Sequence, residues 1–260
     1  MNGTKLINEL KAGAFGPEVT CDTVKSGDPN KEIKKVAFTM FATVDTVKKA
    51  IEWGADMIVV HEPTYYDHWD KEISSPVALA KKEFIDSTGI VIFRYHDHMH
   101  ARIVDQITEG ELFYLGLNGN FDRTPYSASY TLRLNEPVTA LELAKKMENQ
   151  LNIKHVRIAG ERNKKATKIA ACFGTPAGVF ELLCSDDIEI VLTGEACEWK
   201  LSEYARDAAA LGINKSLIVM GHIPSERDGM RLLAKRVEEK YTNLEVKYIE
   251  CGEVYTYTDE

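Results

Sequence analysis

Five of the seven histidines, His61, His68, His96, His98 and His100, fall within one stretch of 40 residues, and His222 stands alone far downstream. His61 follows the apolar run MIVV, His96 follows VIFRY, and His222 follows LIVMG. Each run reads as a buried strand, so three separate segments would deliver imidazoles to the carboxyl ends of strands, where open α/β sheets bind ligands. A second donor accompanies each: Glu62 beside His61, Asp97 within HDHMH, and Glu226 four residues beyond His222. Imidazole nitrogen and carboxylate oxygen together suit zinc, manganese, iron, cobalt or nickel. Considered singly, His61 or His222 is better explained as a hydrogen-bonded residue at a strand end than as a ligand. Their convergence is what points to a metal site.

HDHMH reads either as an extended segment with His96, His98 and His100 on one face, or as a solvated loop. His68, in YYDHWD, belongs to a lid, an interface or plain surface, and His155, inside LNIKHVRIAG, is structural. The run FGTPAGVFELL at 173–183 could offer backbone N–H groups to an anion but has neither dinucleotide nor P-loop spacing, and a tight packing turn is the expectation. TGEAC at 193–197 follows another strand, an arrangement that could turn Glu195 toward the ligand-binding crevice at the strand ends. Cys197 has no base and orienting partner near it in sequence, which disfavours a covalent cysteine mechanism. The five cysteines are widely spaced, odd in number and without a CxxC pair, so neither structural disulfides nor a thiolate zinc knuckle is expected.

These residues need a scaffold of strands alternating with helices. KKVAFTM at 34–40, Ile58 to Val60 and IVIFRYH at 90–96 read as strands, with helices over 43–54 and 77–89 between them. That alternation predicts a largely parallel sheet covered by helices. Residues 116–128, rich in Gly, Asn, Pro and Ser, read as a domain connection. Beyond it come a strand at YTLRLN, a helix over 139–150, the strand KHVRI, a hairpin-like turn at 161–166 and the strand TKIAACFG. A strand at 188–193, a helix at 201–212, the strand SLIVMGH, a long amphipathic helix from Arg227 and a last strand at 244–249 complete the second half. Pro224 and Ser225 suit a helix start, with Glu226 in its first turn.

With 260 residues, 44% hydrophobic and 28% charged, the chain has the composition of an ordinary globular protein of one large or two moderate domains. Forty acidic against 32 basic residues, net charge -8, disfavour a general nucleic-acid backbone binder. No stretch approaches the ~18 apolar residues of a membrane span, and MNGTKLINELKAGAFG does not read as a signal peptide, so a cytoplasmic location without membrane association is expected.

The set MIVVHEP, HDHMH, TGEACEW and GHIPSERDG resembles, in order and over nearly the whole chain, the NIF3-like family of dinuclear metal-centre proteins, whose members are also called GTP cyclohydrolase I type 2 homologues. GHIPSE is the most specific part. The resemblance implies metal ligands at His61, His96, His222 and the bridging Glu226. Glu62 stands where the family has a second histidine, and His100 where it has an aspartate. Both remain able to ligate, and the exchange leaves the ligand charge roughly balanced. The resemblance further implies two α/β domains, a discontinuous one of 1–120 plus 217–260 and an inserted one of 125–216, with the metals in the cleft between them.

Two divalent metal ions, zinc, iron or manganese, are the cofactors so implied, and a homo-oligomer, in the family's toroidal form a hexamer, is the assembly. The expected function is a divalent-metal-dependent hydrolase of a small molecule, a phosphate ester or nucleotide-related compound, with Glu226 and Glu195 as the catalytic carboxylates. The competing expectations are a non-catalytic metal-binding scaffold or regulatory protein, and a non-haem iron redox protein.

Overall fold

Helix starts follow local capping chemistry. The side chain of Asn2 accepts from the N–H of Lys5 to open α1 (Gly3–Lys11), and after β1 (Val24–Ser26) and β2 (Lys35–Thr39) Thr43 does the same for α2 (Val44–Trp53). After β3 (Met57–Val60), Ser75 with Pro76 at the first helical position opens α3 (Pro76–Thr88). There follow β4 (Val91–Arg94), the one-turn α4 (Asp97–His100), α5 (Gln106–Leu115), β5 (Gly119–Asp122) and β6 (Ser129–Val138). Thr139 and Glu142 then form a reciprocal capping box at α6 (Ala140–Leu151). The remainder is β7 (Arg157–Gly160), β8 (Ala166–Cys172), α7 (Val179–Cys184), β9 (Ile190–Thr193), a π-helical turn Glu198–Ser202 leading into α8 (Glu203–Ala210), β10 (Ser216–Val219), α9 (His222–Lys240) and β11 (Glu245–Tyr248). This computed structural model describes all residues except 17, 72, 118, 123–128, 259 and 260.

The chain divides into two compact units, Met1–Ile103 with Met230–Glu260, and Val104–Gly229. The first unit holds a five-stranded sheet in the order β1-β4-β3-β2-β11. Strands β4, β3, β2 and β11 run parallel and β1 lies antiparallel on β4. Every residue of β3 and β4 is buried, which is why MIVV and VIFR are unbroken apolar runs up to Arg94 rather than alternating ones. Ile58, Val60, Ile92, Val47, Ala50 and Ile85 close one core, and each of its valines and isoleucines stabilises by ~1.5–3 kcal/mol when fully buried. Because Val60 pairs with Arg94 at the last rung, the residues that leave β3 and β4 emerge side by side.

The second unit holds a six-stranded sheet in the order β5-β6-β8-β9-β10-β7. Only β8, β9 and β10 are mutually parallel, while β5 on β6, β6 on β8 and β7 on β10 are antiparallel, so this sheet is mixed, whereas the first unit has the largely parallel sheet expected of the alternation at 34–96. The hairpin-like turn at 161–166 is corrected: β7 pairs with β10 and β8 with β6 and β9, so the charged turn joins strands that are not neighbours. Within the glycine-rich 116–128 stretch, residues 119–122 form β5, while 118 and 123–128 lie outside the described residues. No helix among the described residues is long and apolar enough to cross a membrane.

Candidate metal centre

In the first unit the site begins where β3 ends. The N–H groups of His61 and Glu62 both donate to the carbonyl of Met40, turning the chain sharply past the sheet edge. His61 is fully buried, with Nδ1 3.1 Å from the carbonyl oxygen of Tyr95. A carbonyl only accepts, so Nδ1 carries the proton and Nε2 keeps its lone pair. Burial, then the proximity of His96 and His100, hold the His61 imidazolium well below the usual histidine range, against the opposing bond to Tyr95. A neutral imidazole of fixed tautomer is the form that binds a metal. Glu62, also buried, has Oε2 3.7 Å from the guanidinium of the fully buried Arg94. Arg94 Nε also donates to the carbonyl of His61 at 3.0 Å.

HDHMH is neither extended nor a loop: its residues wind into α4, with the N–H of Met99 donating to the His96 carbonyl at 2.9 Å. Met99 is fully buried and pins the turn. At helical spacing His96 and His100 share a side and His98 does not, so the three histidines of the motif part company. The His96 and His100 rings stand 4.8 Å apart, and each faces His61, at 4.6 and 5.2 Å. Ring nitrogens of His61, His96 and His100 all lie within 4.8 Å of one another. His96 Nδ1 is 2.9 Å from Asp97 Oδ1, again turning Nε2 forward. Burial alone would push Asp97 up, but hydrogen bonds from His96, the Cys21 N–H, the Thr20 hydroxyl and the Cys21 thiol outweigh it and hold the carboxyl well below the ordinary range.

Asp22, unnoticed in the sequence, organises this turn. Its Oδ1 accepts from the N–H groups of His96 and Asp97 at 2.8 and 2.9 Å, and its Oδ2 from the N–H and Nδ1 of His98 at 2.9 and 2.7 Å. Those are the orphan donors at the start of a helix, and a carboxylate there is favoured by the helix dipole. Asp97 answers by accepting from the Thr20 hydroxyl and the Cys21 N–H, so segments 20–22 and 96–98 clasp each other. His98 is thus a support of the turn. His68 comes near the group, its ring 5.7 Å from that of His96.

The second unit gathers its own donors. His222 and Glu226 are one turn apart on α9, with Nε2 3.1 Å from Oε2, and His222 Nδ1 lies 2.7 Å from Glu195 Oε1 at the end of β9. Ser225, fully buried, accepts from the N–H of Gly174 at 3.0 Å and donates to the carbonyl of His222 at 2.8 Å. A Cβ at Gly194 would stand 2.4 Å from Ser225 Oγ, and one at Gly174 would stand 2.2 Å from Glu226 Oε1. The glycines of FGTP and TGE are therefore cavities for the serine and glutamate of GHIPSE, which agrees with a packing turn at 173–178. His155 precedes β7 at φ +57.

A buried, neutral His61 backed at Nδ1 by a carbonyl, grouped with His96 backed by a carboxylate and with His100, fits a borderline divalent cation. A family model described as Duf34/NIF3 (NGG1p interacting factor 3) matches residues 22–253. The chain belongs to the DUF34/NIF3 family. One similar protein, named GTP cyclohydrolase 1 type 2 homolog, from Clostridium perfringens, is 24% identical over 224 residues, 82% of this chain and 81% of its own. Among solved structures, one titled protein ybgI, of unknown function, superposes with a TM-score of 0.81 at 21% identity, covering 98% of this chain and 100% of that one. A Bacillus cereus protein related to NIF3 superposes with a TM-score of 0.77 at 15% identity, covering 99% of each. The mixed α/β fold with two sheets is that of these NIF3 structures.

Proposed function

We propose that the protein is a divalent-metal-dependent hydrolase whose ligand set is His61, Glu62, His96, His100, His222 and Glu226. The observation that carries this reading is the trihistidine group of the first unit, in which His61 is buried, neutral and fixed through Nδ1 by the Tyr95 carbonyl. Two divalent ions held by these residues would supply Lewis-acid activation of water and of a phosphoryl or ring-carbon electrophile. Glu226 would bridge, with Gly174 leaving its carboxylate room. Glu195, its side chain 49% exposed and hydrogen-bonded to His222 Nδ1, would take a proton from water and orient His222. A phosphate ester or nucleotide-related compound is the substrate class that the name of the clostridial relative suggests.

The test is metal content of untagged protein by plasma mass spectrometry, for wild type and for His61→Ala, His222→Ala and Glu226→Ala, followed by a metal-matched screen of phosphate esters and nucleotides. Two ions per chain, lost in the variants, with hydrolysis that Glu195→Gln lowers at least ~100-fold while metal is retained, is the expected result. Absence of metal after anaerobic reconstitution overturns the reading. Retained metal without turnover of any substrate would instead favour the scaffold alternative.

A further inference from the structure

One group of donors in the first unit belongs to none of the ligands just proposed. Cys21 precedes β1, His68 lies in the loop after β3, and Asp97 opens α4, yet a sulfur, a ring nitrogen and a carboxylate oxygen from the three lie within 4.8 Å of one another. We propose that Cys21, His68 and Asp97 form a second cation site, for a borderline-soft divalent ion of the zinc type, beside the trihistidine group and distinct from it.

Each donor is held in place by other bonds. Cys21 is buried, its Sγ 3.3 Å from Asp97 Oδ1 and 3.7 Å from Asp22 Oδ1. Asp97 is fixed through Oδ2 by the Thr20 hydroxyl and the Cys21 N–H at 2.8 and 3.0 Å. His68 is the exposed member, but its loop is firmly tied. Asp67 accepts from the N–H groups of Trp69 and Lys71, and Asp70 accepts from the Tyr65 N–H at 2.6 Å. Asp70 also pairs with Lys25 at 3.0 Å, both side chains buried, and Arg94 Nη1 donates to the His68 carbonyl. Tyr66 and Asp70, on either side of His68, sit at φ +72 and +54, a conformation that non-glycine residues keep only where such ties impose it.

The chemistry of the set selects the ion. Thiolate and imidazole favour zinc, cobalt or cadmium over magnesium or calcium, which prefer all-oxygen shells. In the ion-free form the Cys21 thiol is hydrogen-bonded to Asp97. On binding, Cys21 releases that proton to solvent, a sulfur–cation bond replaces the S–H···O contact, and His68 adds a nitrogen lone pair. A thiolate and a carboxylate then neutralise the dication. Three protein donors with His68 on the solvent side leave a position for water, as in exchangeable rather than closed sites.

Cobalt(II) titration of the metal-free full-length protein tests this, read by the near-ultraviolet thiolate-to-cobalt band and by metal content. Wild type should develop the band, Cys21→Ser should abolish it, and His68→Ala, at an exposed position, should weaken cobalt binding in that band at least ~10-fold. His100→Ala, which damages the trihistidine group, should keep it. A wild type without the band at saturating cobalt, a band that survives Cys21→Ser or is indifferent to His68→Ala, or its loss in His100→Ala would each overturn the proposal. Because the band reports only thiolate ligation, its failure is separable from failure of the hydrolase reading, which rests on total metal and turnover.

Discussion

Replacing Asp22 by alanine removes one carboxylate and strands four donors. The carboxylate is 1% exposed and accepts three backbone N–H bonds at 2.8–2.9 Å and one from His98 Nδ1 at 2.7 Å. Bonds to a charged acceptor contribute ~1.5–3 kcal/mol each, but those that share an oxygen are not additive. Residues 96–98 are only partly buried, so water can reach some of the donors. Asp22→Ala should therefore cost about 3–5 kcal/mol, a large part of the ~5–15 kcal/mol that holds a domain together. Asp22→Asn keeps one acceptor oxygen but turns an amide N–H₂ toward one pair of donors, and should cost about half as much. Urea unfolding gives the totals, and amide exchange at residues 96–98 locates the loss. The trihistidine group should bind zinc ~10–100-fold more weakly in either variant, since its backbone is what Asp22 sets. If Asp22→Ala lowers stability by less than ~1 kcal/mol and leaves exchange at 96–98 unchanged, the clasp does not organise the turn.

Three further outcomes can be checked independently. Gly174→Ala and Gly178→Ala impose similar backbone strain, at φ +69 and +80, of ~1–2 kcal/mol, but only the first crowds Glu226 Oε1, so only Gly174→Ala should also deplete bound metal. Burial, then the charge of Asp228, push the Glu111 carboxyl well above its ordinary 4.5, so the folded state keeps a proton that the unfolded state gives up. Stability from this group is present below about 4.5 and is lost as pH rises through the folded value; Glu111→Gln should thus gain on wild type by up to ~1.4 kcal/mol per pH unit over that window in thermal unfolding, and a constant difference would contradict it. Glu62→Gln deprives the buried Arg94 of its carboxylate and should cost about 3 kcal/mol in urea unfolding, independently of any loss of metal.

What the sequence made legible is what strand and helix periods control. MIVV and VIFR were legible as strands because buried parallel strands are continuous apolar runs, and the chain that follows them, to His61 and through Tyr95 to His96, leaves the sheet edge side by side. Glu226 was legible as a residue of a helix start, but α9 begins at His222 itself, before the Pro224-Ser225 pair taken as its start, so that His222 and Glu226 share the first turn and a half of one helix. HDHMH was opaque because a single turn of helix has no period, and its conformation depends on Asp22, some 74 residues away in sequence. The antiparallel pairs of the second sheet were missed for a similar reason: β7 and β8 adjoin in sequence, but each finds its partner elsewhere. Helix α5 went unread because its buried residues, Ile107, Thr108, Gly110, Glu111, Leu112 and Leu115, include polar ones and glycine.

The histidines also differ in a way that counting them could not show. His61, His96, His98 and His222 all have Nδ1 engaged, by the Tyr95 carbonyl, Asp97, Asp22 and Glu195. An acceptor at Nδ1 fixes the ring plane and increases the electron density at Nε2, whether a proton or a cation is to be bound there. For a histidine with room in front of it, that backing prepares a ligand; for His98, whose Nε2 a Cβ at Gly16 would meet at 2.3 Å, it fastens a ring into the wall. The three rings stand with centroids 4.6–5.2 Å apart, and the proximity of His96 and His100 adds to burial in keeping His61 a neutral donor. Asp97 stands behind His96, and Glu62, next to His61 in sequence, is balanced by Arg94, so the carboxylate that backs an imidazole directly is the one at His96.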